Sequence, residues 1–257
     1  CFDMWGGVFR TPETMEIVAR SRQLWDTYAK QPSETRAEVA LVVDPQSARL
    51  VNDRSPLAGQ IYAATRKKLN RLGAPFEVFS FNDLSKADLS QYKMFVFPGL
   101  FEVTAEKAAV LTEHVFHRDR TVVFAYAPGI SDGKTLDTAR VQALTGTAFQ
   151  TEGVSVAKHD AWTAVYVPSY KGLATEVLRR AAVDAGVTIY CDDAVPVYAN
   201  QRLVAIHMAE GGSKTITLPG PCREVRELYT GQVVPVNDRQ FSYPFATPDT
   251  ALFELIP

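Results

Sequence analysis

The sequence predicts an α/β protein: a doubly wound, flavodoxin-like parallel sheet flanked by helices, followed by a small antiparallel β-domain. Three observations carry that expectation. The runs "EVALVV", "FEVF", "MFVF", "TVVFAY" and "VTIYC" are apolar, β-branched and aromatic throughout, as strands covered on both faces are. Helix-like segments separate several of them, and alternating strands and helices build a parallel sheet. After Cys191 helical periodicity ends, and closely spaced strand-like runs appear with turn signals between them, the pattern of an antiparallel sheet or small sandwich.

Taken in order, residues 11–30 read as a helix. Thr11 caps it and Pro12 suits its first turn. Met15, Val18, Trp25 and Tyr28 fall near a 3.6-residue stripe, interrupted by Arg22. "KQPSET" reads as a linker. Ser55-Pro56 opens a second helix with Leu57, Ile61, Ala64 and Leu72 inward, and Gly73 is placed to end it. Thr104 opens a third, carrying Ala108, Leu111 and Val115. "LATEVLRRAAVDAG" is a fourth, again closed by glycine. Beyond it "VPVYA", "RLVAIHMA", "KTITLP", "VRELYT", "QVVPV", "QFSYPF" and "ALFELI" are strand candidates, punctuated by Asn200-Gln201, Gly211-Gly212, Pro219-Gly220-Pro221 and Asn237-Asp238. The organisation expected is residues 1–36 as entry strand end, helix and linker, 37–191 as the flavodoxin-like domain, and 192–257 as the β-domain.

The 257 residues, 46% hydrophobic and 22% charged, are a globular composition with length enough for a sizeable core. A net charge of −2 argues against a nucleic-acid partner, since phosphate binding needs clustered Lys and Arg. The dense basic stretch Arg66-Lys67-Lys68 with Arg71 fits a solvated helix face. No apolar run approaches the ~20 residues of a membrane-spanning helix. Cys1, Cys191 and Cys222 are odd in number and widely spaced, which indicates neither a disulfide framework nor a zinc site. Cys191, inside an apolar run, reads as a buried thiol. The compartment, cytoplasmic or secreted, is left open, and the unusual start "CFDMWGG" suggests a piece of something longer.

A doubly wound sheet places ligands beyond the carboxyl ends of its strands. The expected residues there are Asp44-Pro45, Ser80, Pro98-Gly99, Tyr126 through Gly129, and Asp192-Asp193. Asp44, Gly99, Tyr126 and Gly129 are the candidate switch-point pocket. "VVFAYAPGISDG" resembles the strand-to-helix elbow on which α/β enzymes mount a nucleophile. Its apex is Tyr126 or Ala127 followed by Pro128, so the hydroxyl or thiol that such chemistry needs is missing. Asp44 either binds a sugar hydroxyl or ribose or caps the turn before Pro45. Asp192 and Asp193 read as a solvated turn. His114 and His117 have helical ligand spacing, but no third ligand is evident and Arg118 and Arg120 oppose a cation. They read instead as histidines at a helix C-terminus, where positive charge is favourable. His207 reads as a strand histidine with a partner and His159 as loop-exposed. No cofactor motif, metal set or catalytic residue is assigned.

"FDMWGGVFRTPETMEIVARSRQLWD" resembles the last strand and closing helix of the catalytic barrel in β-galactosidase-type glycoside hydrolases, family 42 and relatives. "AGVTIYCDDAVPVYANQRLVAIHMA" and "KTITLPGP…VRELYTGQVV…ALFEL" are similar to the regions beyond the barrel in those enzymes. The resemblance implies a barrel end, then a flavodoxin-like trimerisation domain related to class I glutamine amidotransferases but lacking their cysteine, then a β-domain. It implies that Asp3 and Trp5 lie near the sugar site of a parent enzyme, with packing as their alternative role. The two carboxylates of glycoside hydrolysis, roughly 5–9.5 Å apart, have no match here. The expected function is a non-catalytic accessory and oligomerisation region, a dimer or trimer of this chain. The alternatives are a free-standing amidotransferase-like protein and a sugar-binding module with a carbohydrate ligand.

Overall fold

The computed structural model describes residues 11–31, 33–52 and 54–256. Helix α1 (Pro12–Tyr28) begins as its sequence requires, with the Thr11 hydroxyl accepting from the Thr14 amide and Pro12 at its first position. Then come β1 (Val39–Val43), α2 (Pro45–Ala48), α3 (Pro56–Gly59), a π-helical turn (Gln60–Ala64), α4 (Thr65–Leu69) and β2 (Phe76–Ser80). β3 (Met94–Phe97), α5 (Ala105–His114), β4 (Arg120–Ala125), α6 (Ala139–Thr145), β5 (Ser155–Lys158), β6 (Trp162–Val167) and α7 (Thr175–Asp184) complete this part.

The sheet runs β2-β1-β3-β4-β6-β5, parallel except for β5, which pairs antiparallel with β6. Without that edge strand the order is the flavodoxin-like one, with its switch point between β1 and β3. Alternate residues feed two cores. Val39, Leu41, Val96, Val123 and Val165 face Ile61, Leu69 and the α7 residues Leu178 and Ala182. Ala40, Val42, Phe95, Phe97, Phe124 and Tyr166 face the other way, toward Leu111, Val115 and Val141. Both faces are therefore dry, which is why the strands read as unbroken apolar runs. Each fully buried aromatic or aliphatic side chain contributes roughly 1.5–3 kcal/mol.

The run "VTIYC" is not a strand. The fifth parallel strand is β6, and β5 and β6 form a hairpin that the apolar-run pattern did not reveal. Residues 187–191 instead cross between cores: Val187 packs on the parallel sheet, while Tyr190 and Cys191 pack into the β-domain. The Tyr190 and Cys191 amides donate to the Gly73 carbonyl at 2.8 and 3.2 Å. Gly73, with φ +73°, has no room for a side chain, because a Cβ would overlap the Cys191 carbonyl oxygen. Burial from both sides thus imitates a central strand without the ladder.

The C-terminal part contains β7 (Val197–Ala199), β8 (Leu203–Met208), β9 (Gly212–Thr217), β10 (Glu224–Glu227), β11 (Val233–Val234), β12 (Val236–Asn237), β13 (Gln240–Phe245) and β14 (Asp249–Ile256). They form two antiparallel sheets, β11-β10-β14-β8-β7 and β12-β13-β9. Inward Val204, Ile206, Ile216, Val225 and Phe253 join Phe241, Tyr243 and Phe245 in their core. Every strand candidate after Cys191 coincides with at least one of these strands.

Helix α1 departs from expectation. Of its residues only Leu24 is buried, and the Met15, Val18 and Trp25 stripe is exposed, Trp25 by 71%. α1 is tied to the β-domain rather than the parallel sheet. The Arg20 guanidinium donates to the Leu228 carbonyl at 2.5 and 3.1 Å, and Ser21 bonds Tyr229 at 3.1 Å. Of the residues expected inward on the third helix, Ala108 is exposed, while Leu111 and Val115 are buried.

Candidate functional site

The carboxyl ends of β1, β3, β4 and β6 lie along one edge of the parallel sheet, and the predicted residues Asp44, Gly99, Tyr126 and Gly129 follow β1, β3 and β4 there. Asp44 caps α2, its carboxylate accepting from the Ser47 amide at 3.0 Å and the Ser47 hydroxyl at 2.5 Å. The turn-capping alternative for Asp44 is therefore present. A second partner was not foreseen: Lys107, from the first turn of α5, reaches the same oxygen at 2.8 Å. Lys107 also bonds the Glu102 carbonyl and carboxylate at 3.2 and 3.3 Å and lies over the Phe81 ring. Ser47 passes the network on by accepting from the Glu102 amide at 3.0 Å. Asp44 is 2% exposed, and its other oxygen, Oδ1, has no hydrogen-bond partner.

β4 ends in an elbow. Tyr126 is its apex, with φ +71°, a left-handed conformation that costs a side-chain-bearing residue roughly 1–2 kcal/mol. Two bonds hold it: the Tyr126 amide donates to the Val167 carbonyl at 2.9 Å, and the Tyr166 hydroxyl donates to the Tyr126 carbonyl at 2.8 Å. The Tyr126 ring is 38% exposed, stacks on Tyr170 at 5.3 Å and meets Phe101 edge-on at 6.0 Å. Tyr170 in turn donates to the Pro98 carbonyl at 2.5 Å, and burial raises its pKa. Gly129, also left-handed, donates from its amide to the Leu100 carbonyl at 2.8 Å. Gly99 lies against Ile61, where a Cβ would come within 2.9 Å of a methyl group.

The elbow has a nucleophile's backbone and no nucleophile's chemistry. Attack there needs a hydroxyl or thiol with a base in reach, and among the described residues no histidine stands beside it. His114 and His117 are at the opposite end of the sheet, His117 3.3 Å from Arg120. Burial, then Arg120 and Arg118, lowers the His117 pKa, so the expected favourable positive charge at this helix end is opposed. His159 is half-buried and stacks on Trp162 at 4.1 Å, with its Nε2 buried and unpartnered, rather than exposed. His207 bonds Thr250 at 2.8 Å. Among the described residues no group of three or more His, Cys, Asp or Glu is arranged to hold a metal ion.

Other candidates resolve locally. Asp192 pairs with Arg179 at 2.8 Å and Asp193 with Lys214 at 3.0 Å, so the two acids serve different cations and do not share a proton. With "VTIYC" outside the sheet, they are not at a strand end of it. Cys191 is buried, and burial raises its thiol pKa. Asp3 and Trp5 lie outside the described residues.

Two residues near the carboxyl-terminal edge were missed. Tyr170 follows the unrecognised strand β6, and finding that strand would have found it. Tyr62 comes from the π-helical turn, and no sequence pattern marks it. Its hydroxyl is buried without a partner, and its pKa is raised by burial and by the charge of Asp44.

No protein-family model matches this sequence, and no curated protein sequence is significantly similar to it. Solved structures do share its fold. The β-galactosidase of Bacillus circulans sp. alkalophilus superposes with a TM-score of 0.64 at 17% identity, over 97% of this chain and 46% of that one. The β-galactosidase of the haloarchaeon Halorubrum lacusprofundi gives 0.57 at 15% identity, over 94% and 43%. The α-L-fucosidase isoenzyme 2 of Paenibacillus thiaminolyticus gives 0.57 at 12% identity, over 96% and 53%. This chain spans less than half the length of those β-galactosidases. Its α/β-plus-β architecture is a fold found within glycoside hydrolases.

Proposed function

We propose that this chain is a non-catalytic accessory and oligomerisation region of a carbohydrate-active glycoside hydrolase with a β-galactosidase-like parent. The observation that carries the reading is the uncovered apolar face of α1. A helix tied to the β-domain by Arg20 and Ser21 leaves Met15, Ile17, Val18 and Trp25 exposed. Beside it, Leu24, Trp25, Tyr28, Leu203 and Leu252 line a 430 Å³ groove. Apolar side chains exposed together on one helix, though interrupted by Arg22, support a protein contact there. The elbow supports the non-catalytic half of the proposal, since Tyr126 has no base to activate it. It also weighs against an amidotransferase-like enzyme, which needs a thiol or hydroxyl at that apex. The fold shared with β-galactosidases and a fucosidase supports the carbohydrate context.

Light scattering after gel filtration tests it. A dimer or trimer that becomes monomeric on Trp25→Asp is expected, with no turnover of p-nitrophenyl galactosides or glutamine. A monomer at all concentrations, or turnover abolished by Tyr126→Phe, overturns it.

A further inference from the structure

We infer that the cleft between α1 and the outer face of the β-domain is a binding site for a short neutral oligosaccharide, which lies across β7, β8 and β14 between the rings of Tyr198 and Trp25. The inference goes beyond the proposed function and does not rest on it: Met15, Ile17 and Val18 of α1 line neither half of the cleft.

The first support is the shape of the cleft. Register pairs Tyr198 with Ala205 and Ala205 with Leu252, so these three side chains stand in one row on one face. Their neighbours Val204, Ile206, Ala251 and Phe253 are in the core, so the row is on the outer face. Strands lie ~4.8 Å apart, which puts Tyr198 roughly 10 Å from Leu252, more than the width of one sugar ring. Two cavities follow this row. One, of 430 Å³, lies among Trp25, Tyr28, Tyr229 and Leu252. The other, of 520 Å³, runs on past Ala205 to Tyr198. They share Ser33, Asn200, Leu203 and Leu252, so they are halves of one cleft. Each is within the range of about 300–1,000 Å³ for small-molecule pockets.

The second support is the chemistry the lining selects. Each half of the cleft carries an exposed aromatic ring, Trp25 in one and Tyr198, 63% exposed, in the other. Such rings present an apolar face with a polar handle, which suits the C–H face and the hydroxyls of a pyranose. Where the halves join, the rim offers an amide and a hydroxyl. The Asn200 nitrogen donates to the Ser33 hydroxyl at 2.9 Å, and the Asn200 oxygen accepts from the Arg202 and Leu203 amides at 2.8 and 2.7 Å. These groups are fixed before a ligand arrives, which lowers the cost of binding. The charges of the cleft are compensated. Arg202 bonds Gln31 and pairs with Glu254 at 3.4 Å, and Glu77 accepts from the Tyr92 hydroxyl. Arg202 and Glu77 are the only Arg, Lys, Asp or Glu among the described residues lining either half, so the cleft selects neither an anion nor a cation. An extended peptide binds by adding to a free strand edge, whereas the floor strands β8 and β14 are interior to the sheet β11-β10-β14-β8-β7.

The test is calorimetry and tryptophan fluorescence on the whole chain with galactotetraose and xylotetraose, with tetragalacturonate as the anionic control. At least one neutral tetrasaccharide is expected to bind at millimolar concentration and to change the emission of Trp25, and tetragalacturonate is not expected to compete. Tyr198→Ala removes an exposed ring from an edge strand and is expected to weaken binding about threefold to tenfold, the value of one aromatic contact, with the oligomeric state unchanged. Trp25→Leu keeps an apolar side chain on α1 and is expected to weaken binding by a similar factor and to abolish the emission change. No heat and no emission change with either neutral tetrasaccharide at tens of millimolar overturns the inference. So does binding that neither substitution changes, or a preference for tetragalacturonate. Light scattering on the same samples reads the proposed function separately: a dimer or trimer that binds no sugar refutes only the inference, and a monomer that binds one refutes only the oligomerisation reading.

Discussion

The two ends of the parallel sheet each bury a charge, and they treat it differently. At the amino-terminal end Arg120 is 2% exposed, and each nitrogen of its guanidinium has a hydrogen-bond partner. It donates to the carbonyls of Tyr92 at 3.0 Å, His114 at 2.6 Å and Leu89 at 2.5 Å, and it lies 5.0 Å from the Phe95 ring centre. Among the described residues no carboxylate pairs with it in this network, and burial pulls its pKa down to about 10. At the carboxyl-terminal end Asp44 is equally buried and keeps one oxygen idle. Backbone strain follows the same division of labour. The amino-terminal turn at Arg118 and Asp119 is left-handed to make a tight connection, whereas the left-handed Tyr126 holds a ring at the carboxyl-terminal edge. One end uses polar groups to close the structure. The other bonds one oxygen of its buried carboxylate and leaves the second without a partner, although the amino-terminal end has an unpartnered atom of its own in His159 Nε2.

The sharpest way to break this comparison is Arg120→Met. It removes the donor to three carbonyls, and each buried acceptor left unsatisfied costs about 1–3 kcal/mol. The expected loss is at least about 3 kcal/mol, read as a large fall in the urea midpoint with an unchanged slope. A loss below about 1 kcal/mol would mean that water replaces the guanidinium and the amino-terminal end is no better closed than the other. Asp44→Ala ranks next, at about 1–3 kcal/mol. It removes the α2 cap and one of the two carboxylates holding Lys107, while Glu102 remains.

How much of this was legible depends on what each residue is buried against. Strands of the β-domain have one wet face, so "ALFELI" and "KTITLP" alternate and announce themselves. Parallel strands are dry on both faces, so any doubly buried run imitates them, and residues 187–191 did so while crossing between two cores. β6 was hidden for the opposite reason: Trp162 and Thr163 at its start are only half-buried, and its partner β5 alternates weakly polar residues. The strand ends Asp44, Gly99, Tyr126 and Gly129 were readable from turn chemistry. Lys107 was not, because a lysine on an amphipathic helix gives no sign that it turns inward to a carboxylate from 63 residues earlier. Tyr62 depends on a π-helical turn that shifts the helix face, which no 3.6-residue pattern anticipates.

A matched pair of tyrosine substitutions sharpens the contrast between used and unused groups. The Tyr92 hydroxyl donates to the Glu77 carboxylate, and Tyr92→Phe is expected to cost about 1–2 kcal/mol. The Tyr62 hydroxyl has no partner, and Tyr62→Phe is expected to change stability by no more than about 0.5 kcal/mol or to raise it slightly. Thermal or urea unfolding of the two variants side by side reads the difference. Equal losses would show that Tyr62 is bonded in solution and that the carboxyl-terminal end is as fully closed as the other.

The smallest expected effect is a pH dependence at the closed end. His117 sits 3.3 Å from Arg120, with His114, Arg118, Glu113 and Asp88 around the same pocket. Burial first, then the charges of Arg120 and Arg118, lowers its pKa from the ordinary 6.5. The unfolded chain therefore binds a proton at higher pH than the folded one does. Its contribution to stability is fully present above about pH 6.5 and is lost as pH falls through the lower folded value. In urea unfolding compared between about pH 7.5 and about pH 5, His117→Gln is expected to lose less stability on acidification than the parent protein. The difference is small because the ring is only partly buried. A steeper loss in the variant would reverse the sign and show that the histidine is charged in the folded protein, as a helix C-terminus alone would favour.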